Sequence, residues 1–191
     1  MKTKALRFGT FQLASGKVSS YYVDLRMTPS IPGAFKLIVQ AYVETIHNVL
    51  NSGRFETIAA IPTAGLTYGS VIAYQLAKPL VYVRGEGPRP TGSRGVEGIL
   101  QHGSKVLVID DLSMTGSSVL KATQSIRGEG GVVSDALVLI DRMEGARKLL
   151  QIAQIRLRSF TTILELANLL KRMDVITHDD FEVIRQQTIT H

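Results

Sequence analysis

The segment Val106-Leu107-Val108-Ile109-Asp110-Asp111-Leu112-Ser113-Met114-Thr115-Gly116-Ser117-Ser118 concentrates the residue types that can do chemistry. An apolar run ends in two adjacent acids, and small hydroxyl residues then open a helix-compatible stretch. Free backbone N–H groups at a helix start, the positive end of its dipole and the hydroxyls of Thr115, Ser117 and Ser118 together favour a phosphate. Two carboxylates at the carboxyl end of a parallel strand stand where open α/β sheets place their ligands. There Asp110 and Asp111 can accept hydrogen bonds from ribose hydroxyls or help to hold Mg2+, a hard cation that prefers oxygen ligands. A loop capped by Asp with no ligand is the plainer alternative, although adjacent carboxylates repel and need a compensating partner. The segment lacks the G-x-x-x-x-G-K-[ST] pattern of a P-loop, and no G-x-G-x-x-G follows a strand. Both absences argue against simple nucleotide hydrolysis and dinucleotide-dependent redox chemistry.

These residues need a scaffold, and the hydrophobic pattern supplies one. Phe35, Ile38, Val39, Tyr42, Ile46, Val49 and Leu50 recur at helical spacing, with Gly53 as a stop signal. Short apolar or β-branched runs at 57–61, 80–83, 105–110 and 132–140 predict strands, and helix-compatible stretches at 66–77, 118–127 and 144–153 separate them. Strands alternating with helices imply crossover units, so the expected fold class is α/β, a doubly wound parallel sheet. Phe8, Phe11 and Leu13, a turn over Ala14-Ser15-Gly16-Lys17 and the strand-like Tyr21 to Arg26 predict a small antiparallel flap over residues 1–30. Residues 161–172 and 177–187 read as C-terminal helices, the second opened by Thr177 with Asp180 three residues on. The stretch 84–98, RGEGPRPTGSRGVEG, holds five glycines and two prolines and reads as a mobile lid loop, since connections of that length are usually functional or disordered. His47 and His102 have no partner spacing and read as surface residues.

The 191 residues suit a single domain, with 45% hydrophobic and 20% charged residues. No apolar run approaches the roughly 18 residues of a membrane span, and MKTKALRFGT lacks the apolar stretch of a secretory signal, so a cytoplasmic protein is expected. The absence of cysteine excludes disulfides, zinc-thiolate sites, iron-sulfur clusters and thiol nucleophiles. A net charge of +6 favours anionic partners, either nucleic acid or phosphorylated metabolites. The surplus is uneven: Lys2, Lys4, Arg7, Lys17 and Arg26 face only Asp24 within residues 1–26, whereas residues 173–191 are acidic.

The segment VLVIDDLSMTGSS resembles the phosphoribosyl pyrophosphate (PRPP) signature of type I phosphoribosyltransferases. Phe8 to Gly16, continuing through Ser19-Ser20-Tyr21-Tyr22-Val23-Asp24-Leu25-Arg26, is similar to the flap of the orotate phosphoribosyltransferases. Leu139 to Ala146 and Leu157 to Leu166 look like the same family. The resemblance spans about residues 6–170. It implies transfer of ribose 5-phosphate from PRPP to N1 of orotate, giving orotidine 5'-monophosphate and pyrophosphate, with Mg2+ as cofactor. By the same resemblance Asp110 and Asp111 hold the ribose hydroxyls, Met114, Thr115, Gly116, Ser117 and Ser118 wrap the 5'-phosphate, and Pro62-Thr63-Ala64-Gly65 faces pyrophosphate and Mg2+. Arg142 grips the orotate carboxylate through a two-point guanidinium pair, its alternative being a strand-end surface partner of Glu144. Tyr22 and Val23 lie against the pyrimidine or simply pack. The resemblance further implies a homodimer that shares its lid between subunits.

The lid departs from the family's pattern. It keeps Arg84 and Glu86 but has Gly85 and Pro88 where relatives carry lysines and Pro90 where they carry histidine; Ala14 occupies the position of a flap lysine. Arg84 and Arg89 are the candidate catalytic cations, with Arg94 and Lys17 as further replacements. Transfer to another base, and a PRPP-binding regulatory homologue of weak activity, are the alternatives. The absence of a basic recognition helix argues against nucleic acid as the partner.

Overall fold

The computed structural model describes residues 5–12, 16, 18–50, 52–84 and 95–189. The chain runs through β1 (Leu6–Gln12), β2 (Val18–Val23), α1 (Pro32–Thr45), β3 (Thr57–Ala60), α2 (Ala64–Gln75), β4 (Leu80–Val83), β5 (Val96–Glu97), β6 (Lys105–Ser113), α3 (Ser117–Gly128), β7 (Val132–Asp141), α4 (Ala146–Ile152), β8 (Arg156–Thr162), α5 (Ile163–Arg172) and α6 (His178–Ile189). Six strands form one sheet in the order β5-β4-β3-β6-β7-β8, parallel except for β5, and β1 and β2 form a separate antiparallel pair. The expected class holds.

The sheet is buried on both faces because its strands alternate apolar residues to two cores. Leu107, Ile109, Leu137 and Leu139 pack with Tyr42 and Ile46 of α1, Tyr68 and Ile72 of α2, and Ile163, Ala167 and Ile184 of the C-terminal helices. Val106, Val108, Ala136 and Val138 pack on the other side with Val119 and Ile126 of α3 and Leu150 of α4. Gly69 lets α2 lie close on β3, since a Cβ there would stand 2.7 Å from that of Ala60.

Several boundaries differ from the sequence expectation. The first helix ends at Thr45 and continues as a wider turn over Ile46–Leu50, and Gly53 sits inside a tight turn, Ser52–Arg54, rather than as a left-handed cap. The expected helix at 161–172 begins only at Ile163, because Arg156–Thr162 is an edge strand. Thr162 ends that strand and caps α5: its hydroxyl accepts from Glu165 N–H at 3.2 Å, and Glu165 accepts from Thr162 N–H at 2.7 Å. The box expected at Thr177 and Asp180 is present, with bonds of 3.0 and 3.1 Å. Val96 and Glu97, expected within the loop, return to pair with Val83 and Tyr82, and Arg84 N–H donates to Gly95 at 3.1 Å. The rest of the expected lid, 85–94, and the flap turn at 13–15 and 17 lie outside the described residues. Both His47 and His102 are exposed.

Candidate functional site

Strands β3 and β6 are neighbours, but their following helices lead to opposite sides: α2 toward β4, α3 toward β7. Such a divergence leaves a crevice beyond the strand ends, where open α/β sheets bind ligands. Here β6 pairs with β3 only as far as Ile109, opposite Ala60, but stays paired with β7 to Ser113. The strand therefore outruns the expected end at Asp110 and carries both acids past the last residue of β3. Asp110 is buried and accepts from Asp111 N–H at 3.0 Å. Its backbone carbonyl accepts the Tyr42 hydroxyl at 2.6 Å, which fixes the strand from α1. Burial, reinforced by the charge of Asp111, raises the Asp110 carboxyl well above the ordinary range, and burial raises Asp111 as well.

After β6, Met114, Thr115 and Gly116 turn the chain into α3. Gly116 caps that helix in the left-handed region, φ 83°, and a Cβ would lie 3.2 Å from Ala146 Cα and Leu150 Cγ. Only glycine suits both the angle and the approach. No side chain caps α3, and the Thr115 and Ser117 hydroxyls hydrogen-bond to each other at 2.9 Å. A recess of about 90 Å³ is lined here by Asp110 and the 112–119 segment, including the buried Ser113 hydroxyl, which has no hydrogen-bond partner. Across the crevice, Pro62 and Thr63 are joined by a cis peptide and lead into α2. Gly65 brings the start of α2 against β6: a Cβ would stand 2.9 Å from Asp110 Cα and Oδ1.

A cleft of about 440 Å³ joins these parts, sharing Asp110, Leu112, Met114 and Ser118 with the recess and adding Asp111, Pro62, Thr63 and Ala64. Its outer wall is the flap, through Gln12, Tyr22, Val23, Asp24 and Arg26, and its lining includes Arg142.

Residues 32–156 match the family model described as "Phosphoribosyl transferase domain". An orotate phosphoribosyltransferase of Cenarchaeum symbiosum is 39% identical over 184 residues, 96% of this chain and 92% of that protein. The chain belongs to the orotate phosphoribosyltransferase family. A solved orotate phosphoribosyltransferase from Aeropyrum pernix superposes with a TM-score of 0.75 at 34% identity, over 89% of this chain and 93% of that one. The Mycobacterium tuberculosis orotate phosphoribosyltransferase in complex with PRPP gives 0.64 at 26%, over 82% and 88%.

Within this orotate phosphoribosyltransferase fold, Asp110, Asp111, Thr63, Ala64, Met114, Ser118, Tyr22, Val23 and Arg142 converge on the cleft, and Thr115, Gly116 and Ser117 on its recess. Gly65 acts beneath them as the point of close approach. Arg84 lies outside this lining, its half-exposed side chain paired with Glu97 at 3.2 Å across the β4–β5 edge. Arg89 and Arg94 fall outside the described residues. Arg142 is not a surface residue: it is 1% exposed and pairs with Glu144 at 2.7 Å. Its Nε donates to the Tyr21 hydroxyl at 3.2 Å and its Nη2 to Ser19 Oγ at 3.0 Å. Nη1, which meets the weakly accepting Met114 Sδ at 3.2 Å, is the nitrogen left for a ligand. The expected two-point grip therefore meets a guanidinium with two nitrogens already committed. Asp24 and Arg26 escaped the sequence reading of the site. Arg26 holds Asp24 at 2.8 Å, keeping that carboxyl below its ordinary range, and its charge also favours ionised Asp111. The basic surplus of residues 1–26 was the signal that could have found it.

Proposed function

We propose that the cleft binds PRPP and orotate and transfers ribose 5-phosphate to N1 of orotate, releasing pyrophosphate and orotidine 5'-monophosphate. The observation that carries this reading is the continuity of two spaces at the strand divergence. A phosphate-sized recess at the start of α3 opens, past the adjacent carboxylates of Asp110 and Asp111, into a cleft that also receives the start of α2. The PRPP complex of the Mycobacterium tuberculosis relative supports it.

In the reaction the bond from the anomeric carbon to pyrophosphate breaks and the bond to N1 forms, while positive charge builds on the ribose. Little covalent chemistry is asked of side chains; the site positions reactants and accommodates charge. The uncapped start of α3 and the hydroxyls of Thr115, Ser117 and Ser118 bind the 5'-phosphate. Asp110 and Asp111 accept from the ribose hydroxyls, and their negative field suits a ribose gaining positive charge. Backbone N–H groups of the Thr63–Gly65 turn face the pyrophosphate. Arg142 Nη1 donates to orotate, with Tyr22 and Val23 beside the ring.

Among the described residues no cluster of three or more His, Cys, Asp or Glu could hold a metal ion. Two carboxylates nevertheless fit Mg2+, which keeps several waters and is commonly held by one or two carboxylates plus substrate phosphates. Asp110 and Asp111 would hold it, and it would supply neutralisation of the departing pyrophosphate. The same reading takes in a cytoplasmic homodimer whose lid serves the neighbouring site, supported by family membership; among the described residues no helix is long and apolar enough to cross a membrane. Ultraviolet-monitored turnover of orotate with PRPP and Mg2+ tests the assignment. Saturable PRPP binding without orotate turnover overturns it in favour of another base or a regulatory role.

A further inference from the structure

The C-terminal helix reaches the partners of Arg142, behind the cleft, through Gln187. Gln187 of α6 accepts the Ser20 N–H at 3.2 Å and donates from Nε2 to Ser19 Oγ at 3.0 Å and to Glu144 Oε1 at 3.1 Å. Ser19 Oγ and Glu144 Oε1 are the same two atoms that receive Nη2 of Arg142, at 3.0 and 2.7 Å. One carboxamide, using its acceptor and both donor hydrogens, thus ties the flap strand β2 to the two groups that orient the Arg142 guanidinium. Ile184, fully buried one turn earlier, anchors α6 to the core independently of this contact.

Gln187 lies outside the cleft lining and touches no reacting group. We propose that it is a positioning residue for the base: it locks Ser19 and Glu144, which aim Arg142 Nη1 into the cleft, and it seats the strand that carries Tyr22 and Val23. The inference rests on the orotate reading given above. A neutral amide suits the position because it satisfies a carboxylate, a hydroxyl and a backbone N–H at once and, among the described residues of the cluster, adds no charge to the Arg142–Glu144 pair.

Gln187→Met preserves length and removes every one of these bonds. With orotate and PRPP varied separately, KM for orotate should rise about tenfold, as expected for a displaced donor, while KM for PRPP stays within about twofold. Gln187→Ala, which removes the same bonds with less bulk, should give the same split and covers the case in which Gln187→Met folds poorly. In the free protein, hydrogen exchange at the Ser20 amide should quicken in Gln187→Met by more than about tenfold as its acceptor is lost. Equal changes in both KM values, or no change in either, would overturn the proposal. If the wild-type protein fails to turn over orotate, the substrate reading falls by itself; the clamp is then judged on the Ser20 amide, and unaltered exchange there sinks it.

Discussion

Replacing Glu144 with alanine should destabilise the protein far more than deleting any exposed charge. The Arg142 and Glu144 side chains face each other at 2.7 Å and are only 2% and 1% exposed. Removal of the carboxylate leaves a guanidinium charged, out of water and without a counter-ion, a situation that costs about 3–5 kcal/mol. Arg84 and Glu97, at 3.2 Å with 40% exposure on each side, offer the contrast: breaking that pair should cost less than about 1 kcal/mol. For a chain of this size each kcal/mol moves the melting temperature by roughly 2–4 °C, so Glu144→Ala should melt about 6–20 °C lower. Urea titration provides the free energy, with an unchanged slope showing that the unfolded state is not responsible. Glu144→Gln keeps the shape and an acceptor for Gln187, and should lose less. The double variant Arg142→Met with Glu144→Met removes both charges and should recover much of the loss. A Glu144→Ala loss below about 1 kcal/mol at unchanged slope, or a double variant no more stable than the single, refutes the account of a desolvated pair.

Three further outcomes follow from the geometry. Gly65→Ala, whose new Cβ would stand 2.9 Å from Asp110 Cα and Oδ1, should cost about 1–3 kcal/mol and displace the carboxylate pair, so turnover should fall more than stability; calorimetry with steady-state kinetics separates the two. Asp110→Asn relieves the repulsion between the buried Asp110 carboxylate and its neighbour Asp111, so the free protein should melt no lower than wild type while turnover collapses; a lower melting temperature would mean that Asp110 has a structural role beyond the site. Burial pushes the Tyr21 phenol up to about 12, against an opposing pull from Arg142. An unfolded tyrosine ionises near pH 10, so between about pH 10 and 12 the folded state holds a proton that the unfolded state releases. Stability is therefore lost as pH rises through that window, by about 2–3 kcal/mol, and urea midpoints measured across it should decline less steeply in Tyr21→Phe.

The parts of the site that lie close together in sequence were legible. Val106 to Ile109 reads as a strand buried on both faces, and the acids and hydroxyls that follow could face only the ligand end of such a strand. Arg142 was legible as a candidate ligand group but not as a buried one, because its partners Ser19, Tyr21 and Met114 come from other elements, and Gln187, which locks Ser19, lies 168 residues from it in sequence. Local pattern contains no record of such a meeting. The edge strand β8 was missed for a different reason. Only Leu157 of RLRSFTT is buried, and Arg156 and Arg158 both reach out to Asp135, so its alternation is faint. β5 is two residues long and exists only because β4 offers it an edge.

That short return strand separates the history of one segment from the history of the fold. Tyr82 pairs with Glu97, Val83 with Val96, and Arg84 N–H with the Gly95 carbonyl, so the sheet itself holds the two ends of residues 85–94 side by side. Between ends fixed in this way, chain length alters closure entropy slowly, by about 0.6 kcal/mol per doubling. With both ends held by β4 and β5, a change of length within 85–94 costs the described sheet little. A segment from another member of the family could be exchanged between Arg84 and Gly95 while the scaffold around it stays the same.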